Sequence, residues 1–132
     1  MLRYMLDTDI CIYAMRGRPQ TLRERFRSLA DALCISSVTL GELIYGAEKS
    51  KRQAQNVTVV AQFAARLEIL PFAEKAAAHY GQIRAQLERA GRPAGAYDMM
   101  IGGHARSEGL VLVTNNLREF ERMSGLQAES WV

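Results

Sequence analysis

Two aspartates, Asp7 and Asp9, stand two residues apart in the stretch MLDTDIC, between two apolar runs. Residues 2–6 have the apolar character of a short buried strand, and residues 10–15 have that of a buried helix. A carboxylate so close to a hydrophobic core is costly unless a hydrogen bond or a counter-charge compensates it. Because carboxylates are the ligands that hard divalent cations prefer, this stretch is a candidate metal site.

Further acidic and polar residues follow other predicted elements of the chain. They are Glu42, Asp98, Thr114, Asn115, Asn116 and Glu119. Glu42 and Asp98 fall in the first turns of predicted helices. Thr114 ends the strand-like run LVLVT, and the two asparagines and Glu119 follow it. Ligands of open α/β sheets bind at the carboxyl ends of the strands, so we expect all these residues near one edge of a sheet.

Several carboxylates at one edge repel one another, and their pKa values should rise unless a cation is present. The simplest compensation is Mg²⁺, with Mn²⁺ as a substitute, because both take oxygen ligands. Such a cluster suits phosphodiester hydrolysis, in which the ion activates water and stabilises the leaving oxygen. The pattern therefore predicts a metal-dependent hydrolase of phosphate esters.

Each acid also has a structural interpretation that involves no metal. We expect Asp9 to cap the helix that follows it, since aspartate is a preferred N-cap residue. Glu42 could close a capping box on Thr39, and Asp98 could be a first-turn acid that interacts with the helix dipole. The remaining alternatives are an ion pair of Glu119 with Arg118 or Arg122 and a turn built on Asn115 and Asn116.

Predicted strands alternate with predicted helices along the whole chain. The strands are expected at 2–6, 32–36, 67–72, 110–114 and 126–131, and the helices at 8–15, 20–30, 37–50, 52–67, 73–91 and 97–109. The strands are continuously apolar rather than alternating, which is typical of a sheet covered on both faces. The pattern predicts an α/β fold with a central, mostly parallel sheet between two layers of helices, in a single domain over residues 1–132.

The composition is that of a globular protein, with 132 residues of which 48% are apolar and 23% charged. No run approaches the roughly 20 apolar residues of a membrane helix, and no signal peptide is evident, so we expect a cytoplasmic protein. Cys11 and Cys34 are expected to be buried, reduced thiols. The net charge of +3 mildly favours an anionic partner such as nucleic acid. The arginine-rich segment 16–27 makes the positive charge uneven, and a solvated helix face is its simpler interpretation.

Three stretches together resemble the PIN-domain ribonucleases, and more closely the VapC toxins of bacterial toxin–antitoxin pairs. They are MLDTDICIY, ISSVTLGELIYGAEKS and GRPAGAYDMMIGGHARSEGLVLVTNNLREFERMSGL. The motifs D-T-[ND], S-x-x-T-x-x-E-L-x-x-G-A and Y-D-x-x-I-x-x-H-A followed by V-T-N-N are specific in combination. The resemblance extends from Met1 to Trp131 and implies a three-layer α/β/α domain.

The resemblance implies a role for each acid at a matching position. Asp7, Glu42 and Asp98 would be the metal-binding and catalytic acids. The fourth position of the family follows the threonine of the last core strand and is often acidic, whereas this chain has asparagines there. Glu119, one turn later, is expected to supply the missing catalytic carboxylate.

Four further residues are expected to support these acids. Thr114 would hydrogen-bond a carboxylate or an ordered water, and Asn115 and Asn116 would occupy the position of the fourth acid. Many relatives have asparagine at position 9, so Asp9 is expected to act behind the metal ligands or as a cap rather than on the ion.

The family also implies partners for the chain. They are an RNA substrate, most often a tRNA cut in a loop, and a VapB-like antitoxin whose C-terminal tail covers the acidic site. A homodimer and a larger toxin–antitoxin complex are expected as well. Single-stranded or looped RNA is the accessible substrate, because the deep groove of an A-form duplex hides the bases.

Two other classes of function remain open on the sequence. The stretch MLDTDIC also fits the D-x-D motif of haloacid-dehalogenase-like phosphatases, in which the first aspartate is a nucleophile. That motif usually has Thr or Val where this chain has Cys11. It also needs a later lysine near the site and a terminal acidic pair at a strand end, and we find neither. The other alternative is a catalytically inactive module that binds RNA or protein. Substitution of Glu42 by Gln should abolish a PIN nuclease and scarcely affect a D-x-D phosphatase.

Some residues near the acids have simpler explanations. His104 follows Asp98 by six residues, which is about 240° around a helix, so we do not expect it to bind the same ion. We expect core packing for Tyr13, Tyr45 and Tyr97, although such rings could also stack on bases. The pair Gly102–Gly103 inside a helix indicates close approach of another backbone.

Overall fold

The structure is a computed structural model that describes all 132 residues. Its strands are β1 (Tyr4–Leu6), β2 (Leu33–Ser36), β3 (Glu68–Leu70), β4 (Val111–Val113) and β5 (Ala128–Glu129). Its α-helices are α1 (Thr8–Met15), α2 (Gln20–Ser28), α3 (Ser37–Glu48), α4 (Gln53–Ala64), α5 (Glu74–Arg89), α6 (Ala96–Ser107) and α7 (Leu117–Glu121). A single 3-10 turn lies at Ala30–Ala32. Every predicted helix and strand is present, with boundaries shifted by a few residues.

The five strands form one sheet in the order β3-β2-β1-β4-β5, and every neighbouring pair is parallel. The predicted mostly parallel sheet is therefore confirmed. The chain builds the sheet outward from β1 to β3 and then returns to β4 on the other side of β1. The strand order thus reverses between β1 and β4, and ligands of such sheets bind at this point, beyond the carboxyl ends of the strands.

Two apolar cores lie on opposite faces of the sheet. On β1, the side chains of Tyr4 and Leu6 pack in the core with Ile10 of α1 and Leu43 of α3. The intervening Met5 packs in the other core, with residues of α5 and α6. Because successive residues of a strand point to opposite faces, a continuously apolar strand supplies both cores. The predicted α/β/α layering follows from this arrangement.

The packing of α5 against α6 depends on a residue without a side chain. A Cβ atom at Gly103 would lie 2.7 Å from the backbone nitrogen of Tyr80 in α5, closer than real atoms approach. The predicted close approach of another backbone is therefore confirmed at Gly103. At Gly102 the neighbour is instead the Met123 side chain, whose sulfur would lie 2.6 Å from such a Cβ.

Other expectations about individual residues have mixed outcomes. Cys11 and Cys34 are buried and unpaired, as predicted. Tyr45 and Tyr97, for which we expected core packing, are instead 65% and 59% exposed, so that expectation was wrong. None of the helices is both long enough and apolar enough to cross a membrane.

The contact at Gly103 can be tested with a matched pair of glycine substitutions. We expect Gly103→Ala to lower the free energy of unfolding by about 2 kcal/mol or more, because the added methyl group must displace the α5 backbone. At Gly81 of α5 no atom lies within 4 Å of an added Cβ, so Gly81→Ala should raise the free energy of unfolding by roughly 0.5–1 kcal/mol. Urea denaturation measures both, and equal effects of the two substitutions would contradict the packing described here.

Candidate active site at the carboxyl edge of the sheet

Asp7 lies directly after β1, at the point where the strand order reverses. Its backbone nitrogen donates to the carbonyl oxygen of Val113 in β4 at 2.8 Å, which continues the sheet by one residue. Its carboxylate is the N-cap of α1: Oδ1 accepts from the backbone nitrogen of Thr8, and Oδ2 accepts from the hydroxyl of Thr114, both at 2.8 Å. The expectation that Asp9 caps this helix was therefore wrong. The predicted hydrogen bond from Thr114 to a carboxylate is confirmed.

Glu42 is directed toward Asp7 by a residue that the sequence did not single out. The hydroxyl of Thr8 donates to Glu42 Oε1 at 2.6 Å and links α1 to α3. The alternative prediction of a capping box between Thr39 and Glu42 was wrong, since α3 begins at Ser37 and its N-cap is Ser36. Thr8 is the middle residue of the D-T-D motif and directly follows Asp7. Its place between the two aspartates is the feature of the sequence that could have indicated a role in holding Glu42.

Asp98 lies in the first turn of α6 and shares a hydrogen bond with Glu119 of α7. Glu119 in turn accepts from the backbone nitrogen of Gly95 at 3.3 Å and from the Asn116 amide at 3.1 Å. It also forms an ion pair with Arg122 at 3.5 Å. The predicted ion pair of Glu119 with a neighbouring arginine is therefore confirmed. The ion pair coexists with the contact to Asp98, and Glu119 therefore joins the cluster from behind Asp98.

The residues after β4 connect this strand to α1. The backbone nitrogen of Asn115 donates to the Asp9 carboxylate at 3.2 Å, and its side-chain amide donates to the Tyr13 hydroxyl at 3.3 Å. The backbone nitrogen of Asn116 donates to the Thr114 hydroxyl at 2.9 Å. Asp9 thus holds the turn after β4 in place, and neither asparagine side chain bonds to Asp7.

Burial and neighbouring charges raise the pKa values of two acids at this edge. Burial is the largest cause for Asp7, whose pKa rises to about 7, with further increases from the charges of Asp9 and Glu42. Burial, the contact with Glu119 and the charges of Asp7 and Glu42 raise the pKa of Asp98 to about 8. Asp7, Glu42 and Asp98 therefore lie within electrostatic range of one another at this edge, and their shared role in holding a cation stays a prediction.

The donor set of this cluster fits a hard divalent cation. No three His, Cys, Asp or Glu side chains stand close enough to hold an ion by themselves. Mg²⁺ does not need such a cage, because it usually keeps several waters and binds through one or two carboxylates. Each Asp7 oxygen accepts one hydrogen bond and retains a lone pair for a ligand bond. A cation here would also relieve the repulsion that raises the pKa values of Asp7 and Asp98.

Comparison with known protein families agrees with this geometry. The sequence profile of the PIN domain matches residues 4–126. The chain belongs to the PIN-domain family. Nucleases of this family depend in general on a divalent metal ion, which is the property that the acidic cluster indicates.

Curated relatives narrow the assignment within the family. The chain is 55% identical over 131 residues to the tRNA(fMet)-specific endonuclease VapC of Shigella flexneri, with 99% of each chain covered. It is 51% identical over 132 residues to the ribonuclease VapC2 of Haemophilus influenzae, with both chains fully covered. The chain is therefore a member of the VapC ribonucleases, as the resemblance implied.

Solved structures give the same result for the fold. The DNA-bound VapBC complex of Salmonella typhimurium matches with a TM-score of 0.97 at 55% identity, with both chains fully covered. VapBC2 of Rickettsia felis, bound to a DNA fragment from its promoter, matches with a TM-score of 0.93 at 41% identity, over 99% of this chain and 100% of the other. The predicted PIN-like fold is confirmed.

Because burial and charge repulsion raise the pKa of Asp98, the stability of the protein should depend on pH. The pKa of Asp98 is about 8 in the folded protein against an ordinary value of 3.8, so the unfolded chain holds fewer protons between these values. The free energy of unfolding must therefore fall as the pH rises through that range. Because Asp98→Asn cannot ionise, we expect it to melt roughly 3 °C or more above the wild type at pH 8.5 in EDTA, with a smaller difference at pH 5.

The control for this measurement is Asp31→Asn, which removes an exposed acid in the 3-10 turn. Its effect on the melting temperature should not change between the two pH values. An Asp98→Asn effect that is equally large at pH 5 and pH 8.5 would show that charge is not the cause.

Proposed function

We propose that this chain is a Mg²⁺-dependent endoribonuclease and the toxin of a toxin–antitoxin pair, with a tRNA as its substrate. The observation that supports the proposal most directly is the group of carboxylates at the carboxyl edge of the sheet. Two of them, Asp7 and Asp98, have pKa values raised to about 7 and about 8 by burial and by their neighbours. Such an arrangement is unfavourable without a cation and suited to holding one.

In this proposal Asp7 and Asp98 bind Mg²⁺, or Mn²⁺ in its place, and Glu42 completes the group of acids. When bound, the ion supplies a Lewis acid that activates water and neutralises the charge that develops on the phosphate. The side chains of this protein do the positioning. Thr114 and the backbone of Thr8 fix the Asp7 carboxylate, and the Thr8 hydroxyl fixes that of Glu42.

Glu119 has a separate role in the proposal. Its pKa is lowered by the hydrogen bond from Asp98, by the backbone N–H of Gly95 and by the charge of Arg122, so its carboxylate suits the role of acceptor for Asp98. In its ionised form Asp98 would be the ligand of a cation, with its carboxylate kept in place by Glu119. Glu119 thereby assists the cation site from behind Asp98.

The surface near the acids suits an RNA substrate. Tyr97 precedes Asp98 and Tyr45 follows Glu42 by three residues on α3, and both rings are exposed. Exposed aromatic rings stack on unpaired bases, and the net charge of +3 favours a polyanion. These features support a single-stranded or looped segment of RNA as the part that enters the site.

The choice of tRNA and of an antitoxin as partners rests on the relatives. The Shigella flexneri relative is described as specific for tRNA(fMet), and the structures from Salmonella typhimurium and Rickettsia felis are VapBC complexes. We propose the same class of substrate and a VapB-like antitoxin that covers the acidic edge. A homodimer within a larger complex remains a prediction.

The phosphatase alternative has less support. The second aspartate of the D-x-D motif, Asp9, receives the backbone hydrogen bond of Asn115 and holds a turn. Glu42 has no part in the mechanism of such a phosphatase. Its hydrogen bond to Thr8, next to the proposed nucleophile, favours the nuclease.

A cleavage assay with two glutamate variants of the same helix tests the proposal. We expect the purified, antitoxin-free chain to cut initiator tRNA in Mg²⁺ and to stop in EDTA. Glu42→Gln should reduce the rate by roughly 100-fold or more, because it removes one of the charges at the cation site. Glu48→Gln, which changes an exposed acid six residues further along α3, should leave the rate within about twofold.

Two results would overturn the proposal. One is a wild-type chain that leaves every RNA intact but releases phosphate from a small ester. The other is a Glu42→Gln variant that cuts as fast as the wild type. In cells, expression of the wild type should slow growth, and Asp7→Ala should relieve that effect.

A further inference from the structure

His104 is a buried imidazole that takes no direct part in the proposed cleavage. Its exposed fraction is 1%, and it lies on α6, the helix that begins near Asp98. Its Nδ1 atom lies 2.8 Å from the hydroxyl oxygen of Ser36, which is fully buried. Ser36 is the N-cap of α3, the helix that bears Glu42. A single buried hydrogen bond therefore connects the two helices that bear these acids.

The direction of this hydrogen bond follows from the other contact of Ser36. The Ser36 hydroxyl oxygen accepts from the backbone nitrogen of Val38 at 3.1 Å, and this bond caps α3. Its own hydrogen is then available for His104 Nδ1. Burial lowers the pKa of His104, the charge of Glu108 opposes this decrease and that of Lys75 adds to it. The His104 tautomer without a hydrogen on Nδ1 accepts the Ser36 hydrogen, which has no other acceptor. Ser36 thus donates to His104 and accepts from the first turn of α3.

The surroundings of His104 hold it in place. The Phe72 ring packs edge-on against the imidazole, with ring centroids 5.6 Å apart and an angle of 87° between the planes. The preceding residue, Gly103, lies against the backbone of Tyr80 in α5. His104 is therefore a fixed point on α6 from which the start of α3 can be positioned.

We infer that His104 is a positioning residue for RNA cleavage, which acts through Ser36 on the start of α3 and so places Glu42 relative to Asp98. This inference rests on the proposed nuclease function. Catalytic groups displaced by about 1 Å can lose roughly 100-fold in rate, so the loss of this bond should lower kcat. Since His104 and Ser36 lie inside the protein, KM should change little.

Two substitutions of His104 separate positioning from packing. An asparagine side chain can place a hydrogen-bonding atom near the position of Nδ1, whereas leucine fills the space without one. We expect His104→Leu to lower kcat for tRNA cleavage by roughly 10- to 100-fold with KM within about twofold. His104→Asn should recover kcat to within about fivefold of the wild type. A packing role predicts the opposite order, because leucine suits an apolar core better than asparagine.

The other partner of the bond provides a second test that does not depend on the folding of the leucine variant. Ser36→Ala removes this bond together with the cap bond from Val38, so it should lower kcat by at least the factor seen in His104→Leu. Adding His104→Leu to it should give no further loss, since their shared contact is already absent. The control is Ser50→Ala, which removes a hydroxyl hydrogen bond to Ala47 at the other end of α3. It should leave kcat within about twofold.

The outcomes distinguish the inference from the proposed function. If the wild type cuts tRNA and kcat is unchanged in His104→Leu and Ser36→Ala, the positioning role is wrong and the nuclease function stands. The same holds if His104→Leu is more active than His104→Asn. If the wild type cuts no RNA, the proposed function fails and the inference fails with it.

Discussion

The placement of several carboxylates at one buried edge is the constraint on which the candidate site depends. Asp7 is 5% exposed and lies where the strand order reverses, close enough to Asp9, Glu42 and Asp98 for their charges to interact. Burial and repulsion both oppose ionisation, and a fold without a use for this cluster would be more stable with neutral residues there. A divalent cation turns the same arrangement into a binding site. The same buried carboxylates thus destabilise this edge of the sheet and provide the proposed cation site.

The protein holds these charges with hydrogen bonds from segments far apart in sequence. Thr114 after β4 donates to Asp7 after β1, and Thr8 on α1 donates to Glu42 on α3. Asp98 is held through Glu119, whose own carboxylate is fixed by Gly95. The contact of Thr114 with Asp7 depends directly on the register of the parallel sheet, because β1 and β4 must end side by side. The two apolar cores on either face of the sheet maintain that register.

Much of the fold could be predicted from the sequence because its signals are local. Continuous apolar runs marked the strands, helical spacing marked the helices, and the strand ends indicated Asp7 and Thr114. Contacts between remote side chains could not be predicted in this way. The sequence favoured Asp9 as the cap of α1, but β1 ends at Leu6, so that Asp7 takes the capping position. On a helix with apolar and polar residues on both faces, the sequence does not show whether a tyrosine faces the core or the solvent. Tyr45 and Tyr97 are exposed.

The most direct test of this account is the location of a bound cation. Crystals of the chain grown or soaked with Mn²⁺ and measured near the manganese absorption edge would show the ion in an anomalous difference map. The account predicts a peak at the carboxyl edge, within coordinating distance of carboxylate oxygens of Asp7 and Asp98. A peak only at another place on the chain, or none at this edge with Mn²⁺ in excess, would contradict it.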